Sequence, residues 1–218
     1  MLSRLCQVAS VAAAVLMTAT AARAITFTET GDAGNVPGAA QALGPVSSGD
    51  NILGSIGLAG DSDLYSIVIG AGILTFNTFA GPNLDDPQLF LFDGAGNGIA
   101  ENDDAAGGTF GLQSEISLNL AAGTYFIGIS RFNNDPVNGS GNEIFNTFNG
   151  NDLNGNLLQV PDSPVGGTVL AGFQSGGGGT GSYNITFASA NAIPEPAALA
   201  AFGLGLAALG FTRRRRSA

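Results

Sequence analysis

The side chains of this chain that could do chemistry are mostly oxygen donors. Asp93, Asn97, Glu101, Asn102, Asp103 and Asp104 fall within twelve positions. A hard cation such as calcium takes six to eight oxygens from carboxylates, amides and carbonyls, on a loop able to wrap it. The run Glu101 to Asp104 would repel itself without such an ion. Asp61 and Asp63 stand at alternate positions, so an extended segment points both carboxylates to one side. Glu29 and Asp32 add further candidates. The competing expectation is that Asp, Asn and Gly are the turn residues of an exported all-β protein. The EF-hand pattern is absent, because Ala95 stands where the second oxygen after Asp93 belongs. A nine-residue calcium repeat is absent too.

Other chemistries are excluded by residue type. The 218 residues contain no His, no Trp and one Cys. Serine and cysteine triads that need His, and His-containing zinc sites, are ruled out. Paired carboxylates such as Asp85-Asp86 or Asp103-Asp104 would hydrolyse a glycoside only if held across a cleft, which sequence does not establish. The chain is therefore read as not an enzyme, with a secreted hydrolase as the weaker alternative. Gly94 to Gly98 is no phosphate loop, since no Lys follows and no strand-to-helix context surrounds it.

The elements that must position these residues read as strands. Leu64 to Ile69, Ile73 to Phe79, Gln88 to Phe92, Ser114 to Leu120, Thr124 to Phe132 and Tyr183 to Phe187 are short runs bounded by Gly, Pro, Asn or Asp, most of them alternating. Gln88 to Phe92 is apolar on both faces, as a central strand would be. No segment between them carries a long helical period. These features predict an all-β, jelly-roll-like β-sandwich over residues 25–192. Residues 133–182, rich in Asn and Gly, read as a long, partly mobile insertion between the last two core strands. Segments 143–148, 157–160 and 168–173 within it have the makings of irregular strands.

The two ends read as addresses. Residues 1–24 have a positive start at Arg4, a short apolar run from Val8 to Met17 and an Ala22-Arg23-Ala24 cleavage signal: a secretory signal peptide and its helix. Cys6 leaves with it. Residues 193–218 hold Pro194, Glu195 and Pro196, then an apolar stretch at 197–211, then Arg213, Arg214, Arg215 and Arg216. Fifteen helical residues span about 22 Å, enough to cross a membrane only with flanking residues and snorkelling arginines. The arginines favour the cytoplasmic side. The expectation is a single C-terminal transmembrane helix that holds the body outside the inner membrane until processing. That body carries sixteen of the seventeen acidic side chains but only Arg131 of the seven basic ones, a net of fifteen negative charges. Nucleic acid is excluded as a partner, and divalent cations are attracted.

The Pro-Glu-Pro motif, apolar segment and arginine cluster, in that order, resemble the PEP-CTERM sorting signal. The resemblance implies processing by an exosortase, a Gram-negative producer, and commonly one that makes extracellular polysaccharide. The body is similar to the bacterial pre-peptidase C-terminal domain. The likeness rests on Gly60 to Tyr65, Asp86 to Asp93, Gly96 to Gly98, Ala100 to Asp104, Ala122 to Tyr125 and Gly181 to Ile185. Some members of that family bind calcium through acidic residues, which by resemblance nominates Glu29, Asp32, Asp61, Asp103 and Asp104. The 133–182 insertion departs from the family pattern. The expected function is a non-enzymatic structural or adhesive protein of the cell surface or matrix, stiffened by calcium. The alternative is a carbohydrate-binding module for extracellular polysaccharide.

Overall fold

The computed structural model describes residues 23–80, 84–106, 111–161, 165–177 and 179–191. The signal peptide through residue 22, the Pro194–Pro196 motif, the apolar segment 197–211 and Arg213–Arg216 lie outside the described residues. Among the described residues, no helix is long and apolar enough to cross a membrane.

The early strands alternate between two sheets. They are β1 (Thr26–Thr28), β2 (Gln41–Pro45), β3 (Asn51–Ile56), β4 (Ser62–Ile69) and β5 (Gly72–Asn77), with a 3-10 turn at Pro37–Ala39. Then follow β6 (Pro87–Asp93), β7 (Gly98–Asn102), β8 (Glu115–Leu120), β9 (Gly123–Arg131), β10 (Pro136–Val137), β11 (Phe145–Asn151), β12 (Leu157–Pro161), β13 (Gly172–Phe173) and β14 (Gly181–Ser189). The small sheet has the order β1-β3-β14-β5-β8, and the large sheet β11-β12-β7-β6-β9-β4-β2. Two pairings, β1 with β3 and β2 with β4, are parallel. The all-β sandwich expected from the alternating runs is present.

The main core lies between the sheets. Ile52, Tyr65, Ile67, Leu74, Phe76, Leu89, Leu91, Ile127, Ile129, Ile185 and Phe187 are fully buried there. Each such side chain contributes roughly 1.5–3 kcal/mol of transfer free energy. β6 shows why its run from Leu89 to Phe92 is apolar at every position. Leu89 and Leu91 face this core, while Phe90 and Phe92 face the other way into a second cluster.

The insertion builds that second cluster. It is organised rather than structureless: β11 and β12 extend the large sheet beyond β7, and β10 pairs with β13 above its outer face. Ile144, Phe145 and Leu170 pack there on Leu64, Phe90, Phe92 and Phe126. The Phe90 ring sits 6.2 Å from Phe145, nearly stacked, and 5.5 Å from Phe173, edge-on. A bare β6 would leave two phenylalanines in water, and the insertion removes that cost.

Candidate functional site

Three carboxylates meet at one end of the sandwich. Asp63 is the second residue of β4, and its register with Ile129 of β9 turns it toward the small sheet. It is fully buried. Its Oδ2 accepts the Tyr183 hydroxyl hydrogen from β14 at 2.6 Å. Tyr183 Oη lies 2.6 Å from Tyr65 Oη, so Tyr65 donates to Tyr183 and Tyr183 to Asp63. Asp63 Oδ1 has no hydrogen-bond partner. Glu29 follows β1; its N–H donates to Leu53 O, and its Oε2 accepts the Ser55 N–H of β3 at 2.8 Å. Asp32 lies in the next loop, where its Oδ1 accepts the Gly34 N–H at 3.0 Å. Gly34 O in turn accepts the N–H of Leu64. One carboxylate oxygen from each of Glu29, Asp32 and Asp63 lies within 4.8 Å of the others.

The electrostatics follow from burial. Burial pushes the Asp63 carboxyl up to about 8, and the charges of Glu29, Asp61 and Asp32 add to this against the Tyr183 hydrogen bond. Burial and the Asp63 charge push the Tyr183 hydroxyl up. The Tyr65 hydroxyl is also raised, by burial first. Both phenols therefore stay protonated and act as donors. The residues present fit a hard cation: three carboxylates, a buried oxygen without a partner, and a charge repulsion that an ion would reverse.

The five acids nominated from sequence do not form one group. Glu29 and Asp32 join Asp63, whereas Asp61 closes a turn beside them. Asp61 Oδ2 accepts the Gly57 N–H at 2.7 Å and its Oδ1 the Ser62 N–H at 2.9 Å. Asp103 and Asp104 follow the end of β7, three strands along the sheet from Asp63, about 14 Å at the usual strand spacing. The signal for Asp63 was its alternation with Asp61; the inward-facing member of the pair is the one that enters the strand. Tyr65 and Tyr183 read as core aromatics in sequence, and nothing there tied them to an acid.

The oxygen-rich stretch from Asp93 to Asp104, expected as a wrapping loop, is instead the β6–β7 hairpin. Ile99 and Ala100 carry its second strand into the sheet. Asp93 spends its carboxylate on the turn, accepting the N–H groups of Ala95 and Asn97 and the Asn97 side-chain amide. Burial raises this carboxyl, but those hydrogen bonds outweigh it and hold it below the ordinary range. The same turn recurs at Asn138–Asn142 and Asp152–Asn156. Each time the first side chain accepts N–H groups two and four residues on, and a glycine at the fourth position takes positive φ: Gly96 at 85°, Gly141 at 78°, Gly155 at 89°. These three Asx-x-x-Gly-Asn turns are structural.

Comparison with known proteins bears on both parts of the chain. Residues 192–216 match the model of the PEP-CTERM protein-sorting motif. The chain carries this sorting motif, the mark of an exported protein handled by an exosortase. Residues 61–131 match the bacterial pre-peptidase C-terminal domain, a stretch that runs from Asp61 through β4 to the end of β9. Within that match lie Asp63, Asp103 and Asp104; Glu29 and Asp32 precede it. Two solved structures are similar to this chain. The pre-peptidase C-terminal domain of collagenase from Bacillus anthracis is 14% identical, covers 67% of this chain and 94% of its own, and gives a TM-score of 0.37. PliG of Aeromonas hydrophila, a periplasmic inhibitor of g-type lysozyme, is 13% identical, with coverages of 67% and 97% and a TM-score of 0.33. No curated protein matches this chain.

Proposed function

We propose that this chain is a non-enzymatic structural or adhesive protein of the bacterial cell surface or extracellular matrix, with calcium held at Glu29, Asp32 and Asp63. The placement of those three carboxylates carries the reading. Glu29 is tied to the small sheet through Ser55, Asp63 belongs to the large sheet, and Asp32 comes from the loop between β1 and β2. An ion shared by all three joins the two sheets and pins the first strand. Such a clamp suits a protein that works outside the cell, where calcium is abundant and the chain, with Cys6 in its signal peptide, has no disulfide to stiffen it. The sorting motif and the fifteen net negative charges of residues 25–192 support the location. In this reading the apolar tail holds the chain at the inner membrane until an exosortase acts, and extracellular polysaccharide is the material among which the body settles.

Thermal denaturation in millimolar calcium and in chelator tests the calcium clamp. A ligand that binds only the folded form stabilises it by about 2.7 kcal/mol at a hundred times its Kd. The expected result is a higher Tm with calcium, and a smaller rise in Asp63→Asn. A wild-type Tm identical in both buffers removes the clamp.

A further inference from the structure

Among the described residues, six buried side-chain oxygens have no hydrogen-bond partner: Ser62 Oγ, Asp63 Oδ1, Gln88 Oε1, Glu101 Oε2, Asp103 Oδ1 and Asn134 Oδ1. Asp63 belongs to the centre above. The other five gather at one end of the opposite, outer face of the large sheet, under the start of the insertion. Register places Ser62, Ser130 and Gln88 in one row across β4, β9 and β6. The neighbouring row is Leu64, Gly128, Phe90 and Glu101, which contains the aromatic that packs under the insertion. Leu89 pairs with Asn102, so Asp103 follows on the side of Gln88. Asn134 lies over the first row, its carbonyl accepting the Ser130 hydroxyl at 2.9 Å. Gln88 Nε2 donates to Glu101 Oε1 at 3.0 Å and to Asp135 Oδ1 at 3.1 Å. Sheet and insertion thus meet through an amide held between two carboxylates. Glu143, also from the insertion, accepts the Gln174 amide at the same junction.

The side-chain amide donors of Gln88 and Asn134 are spent, the Ser62 hydroxyl lies across the row from Gln88, and the acceptors are unmet. Glu101 is 1% exposed and Gln88 3%. Burial, then the charges of Asp135, Asp103 and Glu143, push the Glu101 carboxyl well up. Burial, with Asp104, Asp86 and Asp135, pushes Asp103 up to about 7. Arg131 is paired with Asp85. Protons on Glu101 and Asp103 would supply two donors at this cluster; a divalent ion is the alternative that meets Gln88 Oε1, Glu101 Oε2 and Asp103 Oδ1 together.

We propose that Gln88 Oε1, Glu101 Oε2 and Asp103 Oδ1, with Asp135 facing them, form a second site for a hard divalent cation of the calcium class, which fastens the insertion to the outer face of the large sheet. An amide oxygen among carboxylates is the donor mix such an ion takes, with water filling the remaining positions. The site shares no ligand with the Glu29, Asp32 and Asp63 centre and lies on the other face of the sheet, so the two stand or fall separately.

Equilibrium dialysis of the full chain against radiolabelled calcium counts the ions. Two per chain are expected in the wild type, and one each in Asp63→Asn, Glu101→Gln and Asp103→Asn. Glu101→Gln keeps the side-chain shape and removes a buried charge, so the variant keeps its fold; near-ultraviolet circular dichroism checks this. Calcium should also slow proteolytic cleavage within residues 133–182 of the wild type and not of Glu101→Gln. A count unchanged by both Glu101→Gln and Asp103→Asn overturns the second site. A wild-type count of one, lost only in Asp63→Asn, overturns it as well and leaves the first centre standing. A count of one, lost only in Glu101→Gln and Asp103→Asn, keeps it and removes the first.

Discussion

Tyr183 on the small sheet donates its hydroxyl hydrogen to Asp63 Oδ2 on the large sheet at 2.6 Å, and Tyr65 stands 2.6 Å behind it. The bond crosses the sandwich where Gly54 of β3 pairs with Tyr183, and a Cβ on Gly54 would overlap the tyrosine ring. Half of the Asp63 carboxylate is thereby fixed to the opposite sheet, the other oxygen has no hydrogen-bond partner, and the carboxylate lies beside those of Glu29 and Asp32.

Removing the Tyr183 hydroxyl strips Asp63 Oδ2 of its donor and Tyr65 of its acceptor, all inside the core. Tyr183→Phe should destabilise the protein by about 1–3 kcal/mol, the cost of leaving buried polar groups unmet. Tyr65→Phe removes one donor and leaves the Asp63 bond in place, so its effect should be smaller, about 1 kcal/mol. Urea denaturation of both variants in chelator measures the order. Equal midpoints would mean that the three groups do not act as a chain.

The raised Asp63 carboxyl fixes the sign of a pH effect. The folded form holds the Asp63 proton up to about 8, whereas an unfolded aspartate releases it near 3.8. Below the unfolded value both states are protonated, and the contribution of Asp63 to stability is fully present. As pH rises toward 8 the unfolded chain sheds the proton first, so that contribution is lost. In chelator, the urea midpoint should fall between roughly pH 4 and pH 8, and Asp63→Asn should flatten that part of the curve. A wild-type curve that rises over this interval and keeps its shape in Asp63→Asn would contradict the burial argument.

Much of this arrangement was legible in the residues. β4, β5, β6, β8, β9 and β14 come from alternating or doubly apolar runs, which local sequence carries by itself. The doubly apolar run of β6 reads as a central strand; that the insertion covers its second face was not legible in it. β1, β2 and β3 were not visible. Thr26–Thr28 is too short to show a period, Gln41–Pro45 contains Gly and Pro, and Asn51–Ile56 is interrupted by Gly54. Their pairing comes from partners distant in sequence, which alternation does not encode. The carboxylate centre was half visible for the same reason. Glu29 and Asp32 are among the five nominated acids and Asp63 stands only beside Asp61, because the choice of Asp63 over Asp61 depends on which residue enters the strand. Asp93 shows the converse: its neighbourhood looked like a ligand loop because a hairpin turn draws on the same residue types.

The repeated Asx-x-x-Gly-Asn turns give a graded prediction. Asp93 holds only its own turn, between β6 and β7. Asp152 holds its turn and also accepts the Ser117 N–H of the small sheet at 2.7 Å through Oδ2. Asn154 and Asn156 of the same turn donate to the buried Glu115. Asp93→Ala should cost about 1 kcal/mol, in the range of a lost cap, and Asp152→Ala roughly twice that, because a link between the sheets goes with it. Chemical denaturation compares them, and an Asp93→Ala variant that loses more stability than Asp152→Ala would overturn the ranking.

The sorting motif predicts which polypeptide reaches the surface. Pro194, Glu195 and Pro196 precede fifteen apolar or small residues and four arginines. With the motif intact, an exosortase has its recognition sequence, and on the proposed reading the surface form should lack the tail. Changing all three motif residues to Ala leaves the apolar stretch and the arginines untouched, so the membrane anchoring proposed for them should remain while processing is lost. That variant should accumulate in the inner-membrane fraction with its tail attached. Mass spectrometry of the two fractions decides, with peptides covering Leu206 to Arg213 as the marker. They should be absent from the wild-type surface form and present in the variant; their recovery from the wild-type surface form would show that the tail anchors the mature protein instead of being exchanged.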